Sequence, residues 1–196
     1  MDPRLNQQGP TLIVLAEHKA PVYDDAVGEH GLTLITSSIR RFPPDCLDPK
    51  IHHCNLIQSI LAKVEANHAG ADDAVMLDQR GFLAETNATH VFIVTAIPGG
   101  PIVETSRLVA CPEGITRATV LDLCRENGIA CAERDISMTE VYRADECFTT
   151  GTMGELAWVG AVDGRKIGNG EPGPVTGRLS ALYRERTSTT GARVVD

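Results

Sequence analysis

Three short motifs combine residue types that can hold an anion or tune a ring nitrogen. Gly114-Ile115-Thr116-Arg117 opens a predicted helix. Free backbone N–H groups and the positive end of the helix dipole favour a phosphate there, and the Thr116 hydroxyl adds a donor. A loop glycine followed by an ordinary first helical turn reads the same way. Thr149-Thr150-Gly151-Thr152 follows an apolar strand. A glycine flanked by hydroxyls lets backbone approach an anion closely, although a hydrophilic turn has the same composition. Glu85 follows the short apolar run Phe82-Leu83-Ala84. A carboxylate at that place could pair with a protonated ring nitrogen and keep it charged, or simply be a solvated loop residue. A fourth candidate is the pair His52-His53. Two adjacent imidazoles suit a metal or acid–base chemistry near neutral pH, but no cysteine–histidine ladder supplies further ligands. No metal site is therefore expected.

The elements that must position these residues follow from periodicity and turn signals. Residues 11–16 (TLIVLA) and 32–39 (LTLITSSI) read as strands, and Pro43, Pro44 and Pro49 forbid regular structure up to Lys50. A helix runs over 55–68, with Leu56, Ile57, Ile60, Leu61 and Val64 as its apolar stripe. Strands follow at 73–77, 82–84 and 90–94, with turns at 78–81 and 98–101. The helix after Gly114 closes at Gly128, a strand spans 129–136, and Ser137-Met138-Thr139-Glu140 is a capping box for a short helix. Strands at 146–150 and 156–162 precede the Asp163-Gly164 hairpin turn and a final helix over 173–186. Mixed strands and helices in this order predict an α/β or α+β class with a mixed sheet.

Composition narrows the function classes. The chain has 196 residues and a net charge of -8, with no basic patch for nucleic acid. No apolar run approaches the ~18 residues that suggest a membrane span, and the start lacks the regions of a signal peptide. A cytoplasmic location is the expectation. The six cysteines lack CxxC spacing and read as buried free thiols.

Together the motifs resemble the class IV (fold-type IV) pyridoxal-phosphate aminotransferases, which include branched-chain and D-amino-acid aminotransferases and aminodeoxychorismate lyases. The landmarks run in order: Leu77-Asp78-x-x-Gly81, Glu85-Thr86-Asn87-Ala88-Thr89, Gly114-Ile115-Thr116-Arg117, Ala144-Asp145-Glu146-Cys147-Phe148 and Thr150-Gly151-Thr152. The run Gly168-Asn169-Gly170-Glu171-Pro172-Gly173-Pro174 and the final helix complete them. The resemblance implies the larger domain of that fold, with a mixed, barrel-like sheet and flanking helices over 11–186. Residues 1–10 are an interdomain-like leader, and 187–196 a loose tail. It implies amino transfer between an amino acid and a 2-oxo acid. Glu85 would pair with the pyridine nitrogen of pyridoxal 5'-phosphate. Ile115, Thr116 and Thr152 would hold the phosphate, with Gly114 and Gly151 allowing close approach. Arg40 or Arg41 would lie nearby.

Two departures from the family pattern stand out. In D-amino-acid-type members a lysine that binds the cofactor as a Schiff base precedes an Asn-Leu pair by three residues. Asn55-Leu56 and Ala62-Lys63-Val64-Glu65-Ala66 match that pattern, which places His52 at the lysine position. Lys50 would lie on the same strand face but about 7 Å along the strand, a poor substitute. The cofactor would then bind non-covalently if at all, with His52 as a base. The second departure is the start. The family's smaller domain, which closes over the cofactor, precedes residue 11 and is expected to be absent. An exposed apolar interface would follow, and with it a homodimer or higher self-association. Three expectations result: an impaired aminotransferase, a non-catalytic ligand-binding pseudoenzyme, or a lyase-like relative.

Overall fold

The structure is a computed structural model that describes residues 2–17 and 30–192. Among the described residues nine strands form one mixed sheet: β1 (Leu32–Arg40), β2 (Asp73–Leu77), β3 (Leu83–Thr86), β4 (His90–Ile97), β5 (Gly100–Ser106), β6 (Ala130–Arg134), β7 (Glu146–Gly151), β8 (Glu155–Val162) and β9 (Arg165–Lys166). Their order is β3-β2-β1-β8-β7-β4-β5-β6, with β9 beside β8. Five described α-helices accompany them: α1 (Pro44–Leu47), α2 (Ile57–His68), α3 (Ile115–Glu126), α4 (Met138–Tyr142) and α5 (Pro174–Thr189).

The parallel pairs β1/β2 and β5/β6 each need a crossover, and α2 and α3 provide them. The pairs β2/β3, β4/β5, β4/β7 and β7/β8 are antiparallel. The sheet curls until its ends meet. Leu83 N–H donates to the Ile136 carbonyl at 2.8 Å, and the Ser106 hydroxyl donates to the Ala84 carbonyl at 2.5 Å. The barrel-like core expected from the family is therefore present.

Three apolar clusters make up the core, one inside the curl and two between the sheet and its helices. Leu34, Val75, Leu83, Val91, Ile93 and Val159 pack inside it. Phe92 and Phe148 stack at 5.0 Å on the outer face, under α3 and α5. Ala62 and Ala66 of α2 pack on Ala74 and Met76. The Asp163-Gly164 turn is as predicted, with φ of 51° and 72°. The Ser137–Glu140 capping box also forms.

Several expectations fail for identifiable reasons. Residues 11–16 form no strand, and Leu12, Ile13, Val14 and Leu15 are all at least 74% exposed. A β-branched run needs a neighbouring strand, and no described strand pairs with it. Prolines do not forbid structure at 44–51. Pro44 and Pro49 instead open α1 and a 3-10 turn at Pro49–Ile51, where a missing N–H costs nothing. Strand β5 lies where only a turn was expected. The final helix continues to Thr189, beyond the predicted end at 186, into the segment expected to be a loose tail.

The stripe on α2 has the right period and the wrong face. Leu56, Ile57, Ile60, Leu61 and Val64 are 45–56% exposed, while Ala62 and Ala66 are fully buried. Small alanines let the helix lie close to the sheet. Polar neighbours then fasten it. Glu65 accepts from the Ser38 N–H at 2.9 Å, and Gln58 donates to the Arg40 carbonyl at 2.8 Å.

Candidate functional site

Glu85 sits on β3, opposite Met76 of β2, and is 5% exposed. Arg41 follows β1 directly, so the parallel β1/β2 pairing brings the two side chains together. Arg41 Nη2 lies 2.6 Å from Glu85 Oε1. The rest of the guanidinium is also bonded. Its Nε donates to the Ala110 carbonyl at 3.2 Å and its Nη1 to Ser59 Oγ at 3.1 Å. Burial pushes the Glu85 carboxyl up to about 7, with Arg41 working against that rise. A buried carboxyl poised near neutrality can share a proton with a ring nitrogen. Between the two arginines considered from sequence the structure selects Arg41, because Arg40 is exposed and turns back to the Ser37 carbonyl.

A cleft of about 240 Å³ opens beside this pair, and its lining includes Arg41, Glu85, Asn87, His52, His53 and Asn55. His52 and His53 therefore face the same space as Glu85. His52 does not end a strand. It closes the Pro49–Ile51 turn in the left-handed region, at φ 52° and ψ 49°. That geometry also revises Lys50. On a 3-10 turn, residues two apart do not share a face. The Lys50 ammonium lies 3.6 Å from Asp48 instead. Lys63 is bound to the Asp72 carbonyl and to Asp73. Among the described residues no lysine lines the cleft; Lys19 falls outside them.

The two anion motifs meet at the start of β4. Gly114 is the N-cap of α3, and no side chain caps that end. A Cβ at Gly114 would lie 2.5 Å from the His90 ring, so only glycine fits. Opposite His90 in the β4/β7 register stands Thr150, whose buried Oγ1 has no hydrogen-bond partner. Next to it, a Cβ at Gly151 would meet the Thr89 methyl at 3.0 Å. Thr152 is exposed, as is Ile115. The Thr116 hydroxyl is turned toward the Tyr183 hydroxyl, 3.5 Å away, which leaves the backbone N–H of this first turn, not the side chain, as the donor available at the helix start. An uncapped helix start and an orphaned hydroxyl, both next to His90, suit a phosphate, and Glu85 suits a pyridine nitrogen. The donor set thus suits the expected cofactor except for a lysine.

Sequence reasoning missed three participants. Ser59 holds Arg41, Ala110 provides a carbonyl to the same guanidinium, and the His90 ring lies against Gly114. The one signal for His90 was a histidine opening an otherwise apolar strand. Among the described residues no group of three or more histidine, cysteine or acidic side chains could hold a metal ion. No described helix is long and apolar enough to cross a membrane.

Comparison with known proteins identifies the family and the fold. The family described as amino-transferase class IV matches residues 3–162. Branched-chain-amino-acid aminotransferase-like protein 2 of Arabidopsis thaliana is 49% identical over 194 residues, which cover 99% of this chain and 34% of that protein. A putative branched-chain-amino-acid aminotransferase of Methanocaldococcus jannaschii is 37% identical across 100% of this chain and 65% of its own length. The crystal structure of a branched-chain amino acid aminotransferase from Thermobaculum terrenum, in its PLP holo-form, superposes with a TM-score of 0.73 at 36% identity, covering 79% of this chain and 50% of that one. This chain spans only part of the length of these relatives. A profile match over most of the chain, with relatives this similar, establishes that it belongs to the class IV aminotransferases, a family dependent on pyridoxal 5'-phosphate.

Proposed function

We propose that residues 11–186 form a pyridoxal-phosphate-binding unit of the amino-transfer type that holds its cofactor without a covalent anchor. The observation that carries this reading is the cleft itself. It joins the buried Arg41–Glu85 pair to His52 and His53, with no described lysine in its lining. Glu85 would hold the proton of the pyridine nitrogen, and Arg41 would keep the carboxylate in place. The N–H groups of Ile115 and Thr116, with the Gly151-Thr152 turn, would hold the phosphate. When bound, the cofactor supplies an electron sink for a carbanion next to an amino group. His52 stands at the position that the family resemblance gives to the lysine, and an imidazole there can move a proton near neutral pH. It cannot form the imine linkage that makes exchange of one amino acid for another fast. Turnover of amino acids and 2-oxo acids by this chain is therefore expected to lie orders of magnitude below that of a lysine-bearing relative.

The test is binding. The chain should retain pyridoxal 5'-phosphate in equilibrium dialysis and release it in full after gel filtration in denaturant, with no reductively trapped adduct after borohydride. Glu85→Ala should weaken retention. A borohydride-stable adduct on a single residue would overturn the non-covalent reading, and no retention at all would overturn the cofactor assignment. A ligand-binding domain without chemistry is the second reading, favoured by the same absence of a described lysine from the cleft. Measurable transaminase turnover by the purified chain excludes it.

A further inference from the structure

We propose that His90 is a positioning residue for the phosphate site read at the start of α3, beside the cleft that Pro112 lines: it sets where the open N–H groups of α3 stand relative to Glu85. The inference rests on the reading of the α3 start as the phosphate site, and concerns a residue to which that reading gives no role. His90 opens β4 and is 6% exposed. Its Nε2 lies 2.8 Å from the Pro112 carbonyl. A carbonyl only accepts, so Nε2 carries the hydrogen and Nδ1 is left as an acceptor. The edge of the ring bearing Nδ1 and Cε1 lies against Gly114, where a Cβ would come within 2.5 Å of Cε1 and 2.6 Å of Nδ1. One imidazole thus holds the backbone two residues before the helix cap and fills the space beside the cap itself.

The loop held in this way has a second fastening. Ala110, two residues before Pro112, accepts from Arg41 Nε, and the same guanidinium reaches Glu85. The 110–114 segment is therefore pinned at one end to the residue that holds Glu85 and at the other to His90. The separation between the ring-nitrogen end and the phosphate end of the site is fixed by these two contacts. A ligand at the helix start is indicated independently by Thr150. Its Oγ1 is buried and unpartnered, on the strand position directly opposite His90. Cross-strand partners stand ~5 Å apart at Cβ, so the hydroxyl lies beside the ring, on the side of the sheet that α3 covers. Burial, with the Arg117 and Arg41 charges nearby, holds the imidazole neutral down to about 4, while the Pro112 carbonyl works the other way. The Nε2–H donor to Pro112 accordingly persists across the neutral range.

The experiment compares pyridoxine 5'-phosphate with pyridoxine, which differ only in the phosphate and carry no aldehyde to react with lysines. Equilibrium dialysis on the full chain gives the ratio of the two affinities. The wild-type protein should prefer the phosphorylated form by about tenfold or more, equivalent to ~1.4 kcal/mol. His90→Ala should bring the ratio close to one and leave pyridoxine affinity within about twofold. His90→Gln, whose amide can still donate to Pro112, should recover part of the ratio. Gly114→Ala leaves the ring intact and displaces the helix start, so it should lose the ratio as well, which keeps the test open if His90→Ala fails to fold. A wild-type ratio in His90→Ala, or in Gly114→Ala where His90→Ala does not fold, would overturn the proposal. So would equal weakening of both ligands, the mark of general damage. A wild-type protein with no preference at all would instead remove the phosphate site on which the proposal stands.

Discussion

Arg41 and Glu85 form a buried ion pair in which a single guanidinium also holds Ser59 of α2 and the Ala110 loop. Arg41 therefore ties the end of β1 to three other pieces of chain. Removing one partner leaves the other charge in a poor solvent, which costs more than the pair contributes. Arg41→Met should destabilise the protein by about 3–5 kcal/mol and push the Glu85 carboxyl higher still. Pairing it with Glu85→Gln should restore part of the loss, because no charge is then stranded. Urea denaturation of the four proteins in this double-mutant cycle measures the coupling. A strictly additive double mutant would contradict it.

The two strongly shifted groups of the site oppose each other in pH. Burial lowers His90 from its ordinary 6.5 to about 4, so the unfolded chain takes up that proton first and stability rises with pH across this window. Burial raises Glu85 from 4.5 to about 7, so the folded protein keeps that proton longer and stability falls as pH rises from 4.5 to 7. Each is an effect of about 3 kcal/mol, and between pH 4.5 and 6.5 they nearly cancel. The wild-type profile should be almost flat there. His90→Gln should make stability fall with rising pH, and Glu85→Gln should make it rise. Below this range Glu65, Asp135, Glu140 and Asp163, all held low by hydrogen bonds or arginines, lose their contribution and set the acid limit.

Glu146 caps the last helix from a neighbouring strand. Its carboxylate accepts from the Val175 N–H at 3.0 Å, and from the Thr176 N–H and hydroxyl, both at 2.7 Å. Hydrogen bonds to a buried charge contribute about 1.5–3 kcal/mol. Glu146→Ala should lower stability by an amount of that order and expose α5 to faster amide exchange. Gly173→Ala should act the same way without touching the carboxylate chemically, since its Cβ would lie 1.9 Å from Glu146 Cδ. Hydrogen exchange of α5 in both variants is the measurement, and unchanged protection in either would contradict the capping role.

The apolar face of α2 points away from the sheet, so its residues add little to the fold of this chain. Ile60→Gln and Val64→Gln should each change stability by less than about 0.5 kcal/mol, whereas Ala62→Leu, on the packed face, should cost about 1–3 kcal/mol through overpacking. Binding of an apolar dye should drop in the two glutamine variants, because exposed Leu56, Ile60 and Val64 form one surface with Ile57 and Leu61. A large loss of stability in Ile60→Gln would show that this face is covered.

The same helix shows what a single sequence can reveal. Period and position of α2 were legible from Leu56, Ile57, Ile60, Leu61 and Val64, but not which face meets the sheet. Apolar character marks burial against something, and the chain itself packs Ala62 and Ala66 there instead. Glu85, Gly114 and Gly151 were legible because their motifs occur in a fixed order; the structure brings Gly114 and Gly151 against the start of β4, while Glu85 lines the cleft that Pro112 also borders. Arg41 was separable from Arg40 only once β1 fixed which of two adjacent side chains turns inward. Strand β5 was hidden because Pro101 and two glycines at its start carry turn signals, while its pairing with β4 and β6 is non-local. The role of His90 depends on contacts with Pro112 and Gly114, more than twenty residues away, which no local pattern encodes.

His52 carries the sharpest functional prediction. It lies on the rim of the cleft that holds Glu85, in a left-handed conformation that histidine tolerates better than most side chains. His52→Lys should therefore cost about 1 kcal/mol of stability from the backbone alone. It should also place a primary amine in the lining of the cleft, and a protein with pyridoxal 5'-phosphate should then acquire the visible absorbance of lysine-bound cofactor, together with an adduct at residue 52 that borohydride makes permanent. The wild-type protein and His53→Lys serve as controls, since position 53 lines the same cleft without matching the family register. A stable adduct at 53 and none at 52 would move the anchor position by one residue. An adduct at neither, with the cofactor still retained, would mean that the 49–53 turn holds position 52 too far from the bound aldehyde for an amine to reach it.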